Sequence, residues 1–178
     1  PHLAADAVRQ FALEAVLDFP VSPIPGETGS FKPLYKNGFI SAPYSVVVSQ
    51  AIARMGGGDG STVPCYRTIT LGRDGSPLKS QGSLHYTRFA LKNYRQWLDA
   101  AISDVRNNHD HDRRLLFINA WNDWNQGAVL EPDRSLGYSK LNETSRALLD
   151  LPLGQALPKV SIVVPNYNHA RYLPRRLE

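Results

Sequence analysis

The segment NAWNDWNQGAVLEPD, Asn119 to Asp133, gathers the side chains of this 178-residue sequence best suited to chemistry. Trp121 and Trp124 offer flat apolar faces of the kind that stack on sugar rings. Around them Asn122, Asp123, Asn125 and Gln126 supply donors and acceptors for hydroxyl groups. The same residues also read as two core tryptophans with amides capping a turn, because tryptophan is highly buried on average. Glu131 and Asp133 are the remaining carboxylates nearby; they are candidates for acid/base work, while EPD equally reads as a turn before a helix.

Other polar clusters point to less. HDHD (His109 to Asp112) contains a formal DxD and two imidazoles but precedes an apolar run instead of following one, so it reads as a solvated loop and not a metal site. GGGDGS (Gly56 to Ser61) lacks the strand, lysine and helix order of a phosphate loop, and the sequon Asn142-Glu143-Thr144 falls in a helical pattern. Cys65 lies in an apolar stretch and reads as packing. As the single cysteine it forms no internal disulfide, which points to a reducing compartment and a cytoplasmic protein. A net charge of +4, spread among acidic residues, argues against nucleic acid as a partner. The 42% hydrophobic, 20% charged composition suits a globular domain, and no apolar run is long enough to cross a bilayer.

The elements that must position the tryptophan segment follow from hydrophobic spacing. Ala4 to Phe11 is spaced as a helix, and Ala12 to Pro20 becomes a short apolar strand. Ser22 to Pro43 is rich in Pro and Gly with interspersed aromatics, as in a long ordered loop over a binding face. Tyr44 to Met55 reads as a helix stopped by glycines, Val63 to Thr70 as a strand, and the residues through about Arg88 as a polar loop. Leu91, Tyr94, Leu98, Ala101, Ile102 and Val105 form one helical stripe. Arg113 to Ala120 is a continuous apolar strand of the kind covered on both faces, and Ser139 to Leu149 is a further helix. Strand, loop and helix thus alternate about three times, which predicts an α/β domain with a parallel sheet. Three units cannot close a barrel, but in a barrel the long loops after strands form the active-site face.

The tryptophan segment resembles the signature of the WbsX-like proteins of bacterial polysaccharide biosynthesis, which show a NAWNEWAEG…LEPD pattern and are related to the barrel endo-mannosidases of glycoside hydrolase family 99. The resemblance extends through YRQWLDAAI (Tyr94 to Ile102) and, more loosely, to LEAVLDFP (Leu13 to Pro20). It implies that residues 1–150 are the C-terminal part of a (β/α)8-type barrel. In the hydrolase relatives two glutamates three residues apart in this signature are the catalytic pair; here Asp123 and Gln126 stand at those positions. Glycoside hydrolysis needs two carboxyl groups, one of them passing a proton, and an amide cannot do that. The catalytic candidates are therefore Asp123, the degenerate Gln126 and Glu131, with Trp121, Asn122 and Trp124 as substrate-binding residues.

Residues 151–158 read as a linker, and PKVSIVVPNYNHARYLPRRLE (Pro158 to Glu178) resembles the start of glycosyltransferase family 2 domains. Residues 159–178 would then open a GT-A (Rossmann-like) glycosyltransferase domain, with Pro165, Tyr167 and Asn168 at the nucleotide pocket, where a ligand sits beyond a strand's carboxyl end. The chain begins at Pro1 without a methionine and ends inside what reads as a helix, so it reads as a piece of a longer protein. The resemblances imply a nucleotide-sugar donor, a glycan acceptor, and a divalent metal (Mg or Mn) in the rest of the transferase domain, with no cofactor in this chain. They imply glycosyl transfer in lipopolysaccharide, O-antigen or capsule assembly, with possible membrane-surface association through other parts. The alternatives are an endo-mannosidase-type hydrolase and a catalytically silent glycan-binding barrel.

Overall fold

The computed structural model describes residues 10, 12–19, 34–36, 39–55, 63–75 and 83–151. In chain order the elements are β1 (Val16–Asp18), β2 (Leu34–Lys36), β3 (Phe39–Pro43), α1 (Tyr44–Met55), β4 (Cys65–Thr70), β5 (Leu84–Thr87), α2 (Leu91–Asn108), a 3-10 turn (His111–Arg113), β6 (Leu116–Asn119), β7 (Asn122–Asp123), a second 3-10 turn (Trp124–Gln126), β8 (Ala128–Val129) and α3 (Ser139–Leu148).

The helices form where sequence spacing lets one face be buried. In α1 a run of three valines, Val46 to Val48, disfavours a helix by intrinsic propensity. Tyr44, Val47, Val48 and Ala51 nevertheless share one face and are all buried, so packing outweighs propensity. Helix α2 buries Tyr94, Trp97, Leu98, Ala101, Ile102 and Val105. Trp97 is completely enclosed and packs against Tyr44 of α1 with ring centroids 6.1 Å apart. The C-terminal carbonyls of α2 are met by a cation: the Arg114 guanidinium donates to the carbonyls of Arg106 and His109 at 3.2 and 3.3 Å. Helix α3 docks on α2 through Tyr94 and Thr144, whose hydroxyl oxygens lie 2.8 Å apart, and through Arg95, which meets Asp99 at 2.7 Å and Glu143 at 3.4 Å.

Strands β1, β4 and β6 make a parallel sheet in that order. Successive strands are neighbours, and each connection carries a helix, as the alternating pattern predicts. Because paired residues in a parallel ladder point to the same side, Asp18, Arg67 and Leu116 lie abreast on one face with Ile69 and Ile118. That face meets the helices: Ile69 is in the core and Leu116 and Ile118 pack against it. Arg67 clasps the arrangement by bonding Asp18 of β1 at 3.0 Å and Asp104 of α2 at 2.7 Å. Burial of Arg67 opposes its charge, but the bond it donates to Asp104 and the charges of Asp104 and Asp18 outweigh it and raise its pKa.

On the opposite face Leu17 and Phe117 are exposed, as is Leu115 beside them. The prediction that the Arg113 to Ala120 run is covered on both faces therefore fails in part: among the described residues the helices cover only the side of Leu116 and Ile118. Two predicted loops also contain strands. The segment Ser22 to Pro43 includes β2 and β3, which pair antiparallel, and the loop before α2 includes β5, which pairs parallel with β3. A second sheet, β2–β3–β5, is thus built from the chain that follows β1 and β4. These strands are short, and what holds β3 to β5 is pairing between segments about 40 residues apart, which no local pattern reveals. The predicted helix Ala4 to Phe11 lies almost wholly outside the described residues.

Candidate functional site: an aromatic hairpin beyond the parallel sheet

Beyond the carboxyl end of β6 the chain turns at a cis Asn119–Ala120 peptide bond and makes a small hairpin, with Asn122 opposite Val129 and Asp123 opposite Ala128. The turn Trp124–Gln126 is closed by Gly127, whose φ of +64° favours glycine and whose N–H donates to the Trp124 carbonyl at 3.3 Å. Ala128 and Val129 are buried and root the hairpin. Its start is tied to its end: the Trp121 carbonyl accepts from the N–H groups of Leu130 at 2.9 Å and Glu131 at 3.0 Å.

With its root buried, the hairpin presents its aromatic and polar side chains outward. Trp121 is 53% exposed and Trp124 58% exposed, so the alternative of two core tryptophans does not hold. The indole N–H of Trp124 donates to a carboxylate oxygen of Glu131, which pins the ring by its edge. Asn122 and Asn125 are exposed. The two residues at the signature positions come together: the side-chain amide of Gln126 donates to Asp123 Oδ2 at 3.0 Å. A carboxylate held by a neutral amide is a hydrogen-bonding pair with one acidic group, not a pair of carboxyls sharing protons.

Asp133 is occupied in holding structure. Its Oδ1 accepts from the N–H groups of Ser135 and Leu136, both at 2.7 Å, and its Oδ2 meets Lys140 Nζ at 2.7 Å. The bond from Lys140, helped by the two backbone N–H groups, overcomes burial and lowers the Asp133 pKa. Lys140 also donates to the Val129 carbonyl at 2.7 Å, so α3 grips the base of the hairpin. The reading of EPD as a turn before a helix is right for Asp133.

Below the hairpin lies the chain that leaves β4. The hydroxyl of Tyr44 fixes the end of that strand by donating to the Thr70 carbonyl at 2.9 Å; burial, then the nearby Tyr94 and Tyr86, push its pKa well up. The Asp74 N–H donates to the Gln126 carbonyl at 2.6 Å. A Cβ on Gly72 would lie 2.6 Å from the Gly127 carbonyl oxygen, so the close approach of the two loops requires glycine there. Asp74 pairs across an antiparallel bridge with His85 of β5, and His85 Nδ1 lies 3.4 Å from Asp74 Oδ1. Sequence reasoning passed over Asp74 and His85. The signal for His85 was the alternation of Leu84, His85, Tyr86 and Thr87, in which the first and third are buried.

The remaining predicted residues fall elsewhere. Pro165, Tyr167 and Asn168 lie outside the described residues. The HDHD segment contains the exposed 3-10 turn His111–Arg113, and among the described residues no three His, Cys, Asp or Glu side chains gather as for a metal ion. No helix among them is long and apolar enough to cross a membrane.

A family model described as Glycosyltransferase WbsX matches residues 17–144, a span that includes the hairpin, the parallel sheet and most of α3. The chain belongs to this family. A protein described as "Uncharacterized protein WxcX", found in two strains of Xanthomonas campestris pv. campestris, is 39% identical over 87 residues, which is 49% of this chain. The chain spans 12% of the length of these relatives. A solved structure described as a glycoside hydrolase-like protein aligns over 57% of this chain and 30% of its own, at 16% identity and a TM-score of 0.37, too slight a likeness to argue from.

Proposed function

We propose that this chain holds the glycan acceptor in a bacterial glycosyltransferase that assembles cell-surface polysaccharide such as lipopolysaccharide, O-antigen or capsule. The observation that carries this reading is the outward pair Trp121 and Trp124, set on a hairpin beside Asn122, Asp123 and Gln126. Sugar rings present apolar faces ringed by hydroxyls, and exposed indoles beside amide and carboxylate groups match both. Membership of a family described as glycosyltransferases supports transfer to the bound glycan.

The donor is a nucleotide sugar. Pro165, Tyr167 and Asn168 would contact its base, and a divalent metal would belong to the same transferase module, at the cytoplasmic side of a membrane. The Gln126 to Asp123 bond disfavours the hydrolase alternative, since this pair offers a single acidic group where hydrolysis needs two. The barrel would be completed by chain other than the described residues.

Binding of mannan-type oligosaccharides to the full-length protein tests the reading by calorimetry. Trp124→Ala is expected to weaken binding about tenfold, as loss of about 1–2 kcal/mol of aromatic contact requires. Unchanged affinity in Trp121→Ala and Trp124→Ala would remove the hairpin from glycan recognition.

A further inference from the structure

The amide at position 126 leaves one acidic group at the two signature positions, and a titratable pair stands beside the turn that carries it. His85 and Asp74 are cross-strand neighbours: the Tyr86 N–H donates to the Arg73 carbonyl at 2.7 Å and the Gly75 N–H to the Leu84 carbonyl at 3.2 Å, which sets 74 opposite 85. Directly opposed residues in an antiparallel pair share a face. Because Leu84 and Tyr86 are buried, that face is the open one, and both His85 and Asp74 side chains are 40% exposed. The register therefore places imidazole and carboxylate side by side, within reach of solvent or ligand.

Their place relative to the hairpin is set by the backbone. Asp74 donates its N–H to the carbonyl of Gln126, and its Cβ is 3.5 Å from where a Cβ on Gly127 would stand. Asp74 is thus in contact with the turn that carries Gln126, and His85 is one side chain further. The charged group facing the imidazole is Asp74, 3.4 Å from Nδ1, while Arg73 alternates to the other side, where its charge acts on Tyr86. A carboxylate facing Nδ1 orients the ring so that Nε2 points away from it, and this is how a histidine is set up to exchange a proton with a bound hydroxyl.

We propose that His85, oriented by Asp74, is the proton acceptor of this site, taking the proton of a glycan hydroxyl as that oxygen attacks the anomeric carbon of a nucleotide-sugar donor. The proposal rests on the glycan-acceptor reading above. In the step, the acceptor O–H bond breaks and its proton goes to His85 Nε2. The acceptor oxygen bonds to the anomeric carbon, whose bond to the phosphate oxygen breaks, and that electron pair leaves on the nucleoside diphosphate. His85 is the catalytic residue and Asp74 a positioning residue.

The test uses the full-length protein with a mannan-type oligosaccharide as acceptor and UDP-glucose, GDP-mannose and dTDP-rhamnose as donors. Nucleoside diphosphate release is followed as a function of pH, and acceptor binding is measured alongside. His85→Gln, close in shape and compatible with the strand, is expected to lower kcat about 100-fold or more while leaving the acceptor KM within about twofold. It also loses the limb of the pH profile that reports the base. Asp74→Asn is expected to lower kcat by about tenfold while leaving the acceptor KM unchanged, and Asp74→Glu to restore part of the loss. A purely structural role for Asp74 would weaken acceptor binding together with kcat and show no rescue by Asp74→Glu. Wild-type kcat and an unchanged pH profile in His85→Gln overturn the proposal. So does a wild-type protein that binds the acceptor yet transfers from none of the three donors, and both results leave the glycan-acceptor reading standing. Failure of the wild type to bind the acceptor defeats that reading, and this one with it.

Discussion

Lys140→Met tests how the hairpin is held. Lys140 Nζ bridges the Val129 carbonyl at the hairpin's base and the Asp133 carboxylate, each at 2.7 Å, and lies 5.9 Å from the Phe89 ring centroid. Methionine keeps most of the apolar stem but removes the charge, leaving Asp133 with its two backbone donors and Val129 with an orphaned carbonyl. Removing one partner of a buried ion pair costs about 3–5 kcal/mol. The side chains retain 10% and 13% exposure and Asp133 keeps two N–H bonds, so the lower end, about 3 kcal/mol, is expected. That is a large share of a total stability of about 5–15 kcal/mol. The pH dependence follows from the lowered Asp133 pKa. A carboxyl whose folded pKa is depressed contributes stability that is full above its unfolded value, about 3.9, and is lost as pH falls through the lower folded value. The difference between wild type and Lys140→Met should therefore be largest near neutral pH and shrink in acid. Urea unfolding at both conditions, with Asp133→Asn and the double variant completing a cycle, measures the coupling. A cost below about 1 kcal/mol at neutral pH, or no coupling in the cycle, would refute the claim that this pair anchors the hairpin.

Gly72→Ala and Gly127→Ala should differ in kind. At Gly127 the added Cβ finds ordinary contact and the cost is backbone strain of about 1–2 kcal/mol, whereas at Gly72 it meets a carbonyl at 2.6 Å and must shift the turn bearing Gln126, which paired melting curves and glycan affinities would show. Gln126→Glu puts a second carboxylate within hydrogen-bond distance of Asp123, and the close like charge raises the pKa of the pair; stability relative to wild type should therefore fall by about 1–2 kcal/mol as pH rises from about 4 to about 6, read by urea midpoints at those two values. Trp97→Ala should cost about 3–5 kcal/mol in equilibrium unfolding because the ring is wholly enclosed. Tyr86 and Tyr94 are pushed up to about 12, mainly by burial, so phenolate absorbance should show them ionising late. A raised folded pKa contributes stability that is present below the unfolded value of about 10 and lost as pH climbs toward the folded one, so unfolding should set in over that range.

Much of the parallel sheet and its helices was legible because their signals are local. The stripe on α2 names a buried face from sequence spacing alone, and the apolar run at β6 marks a strand. Trp97 belongs to that stripe but was left out of it, although it fills the position one residue before Leu98. The second sheet was not legible: β3 and β5 are short, and the hydrogen bonds that define them come from each other. The same non-local pairing decides who stands beneath the hairpin.

What the sequence determined by itself is the alternating order of strands and helices, the location of the aromatic, amide-rich segment after β6, and the amide at position 126 that breaks a carboxylate pair. These depend on residue type and spacing along the chain. Only the tertiary structure decided that Trp121 and Trp124 face outward, because exposure depends on which side of the hairpin Ala128 and Val129 bury. Only it brought Asp74 and His85 to Gln126, because a bridge between strands joins residues 74 and 85 and one 2.6 Å bond between loops joins residues 74 and 126, which lie far apart in the chain.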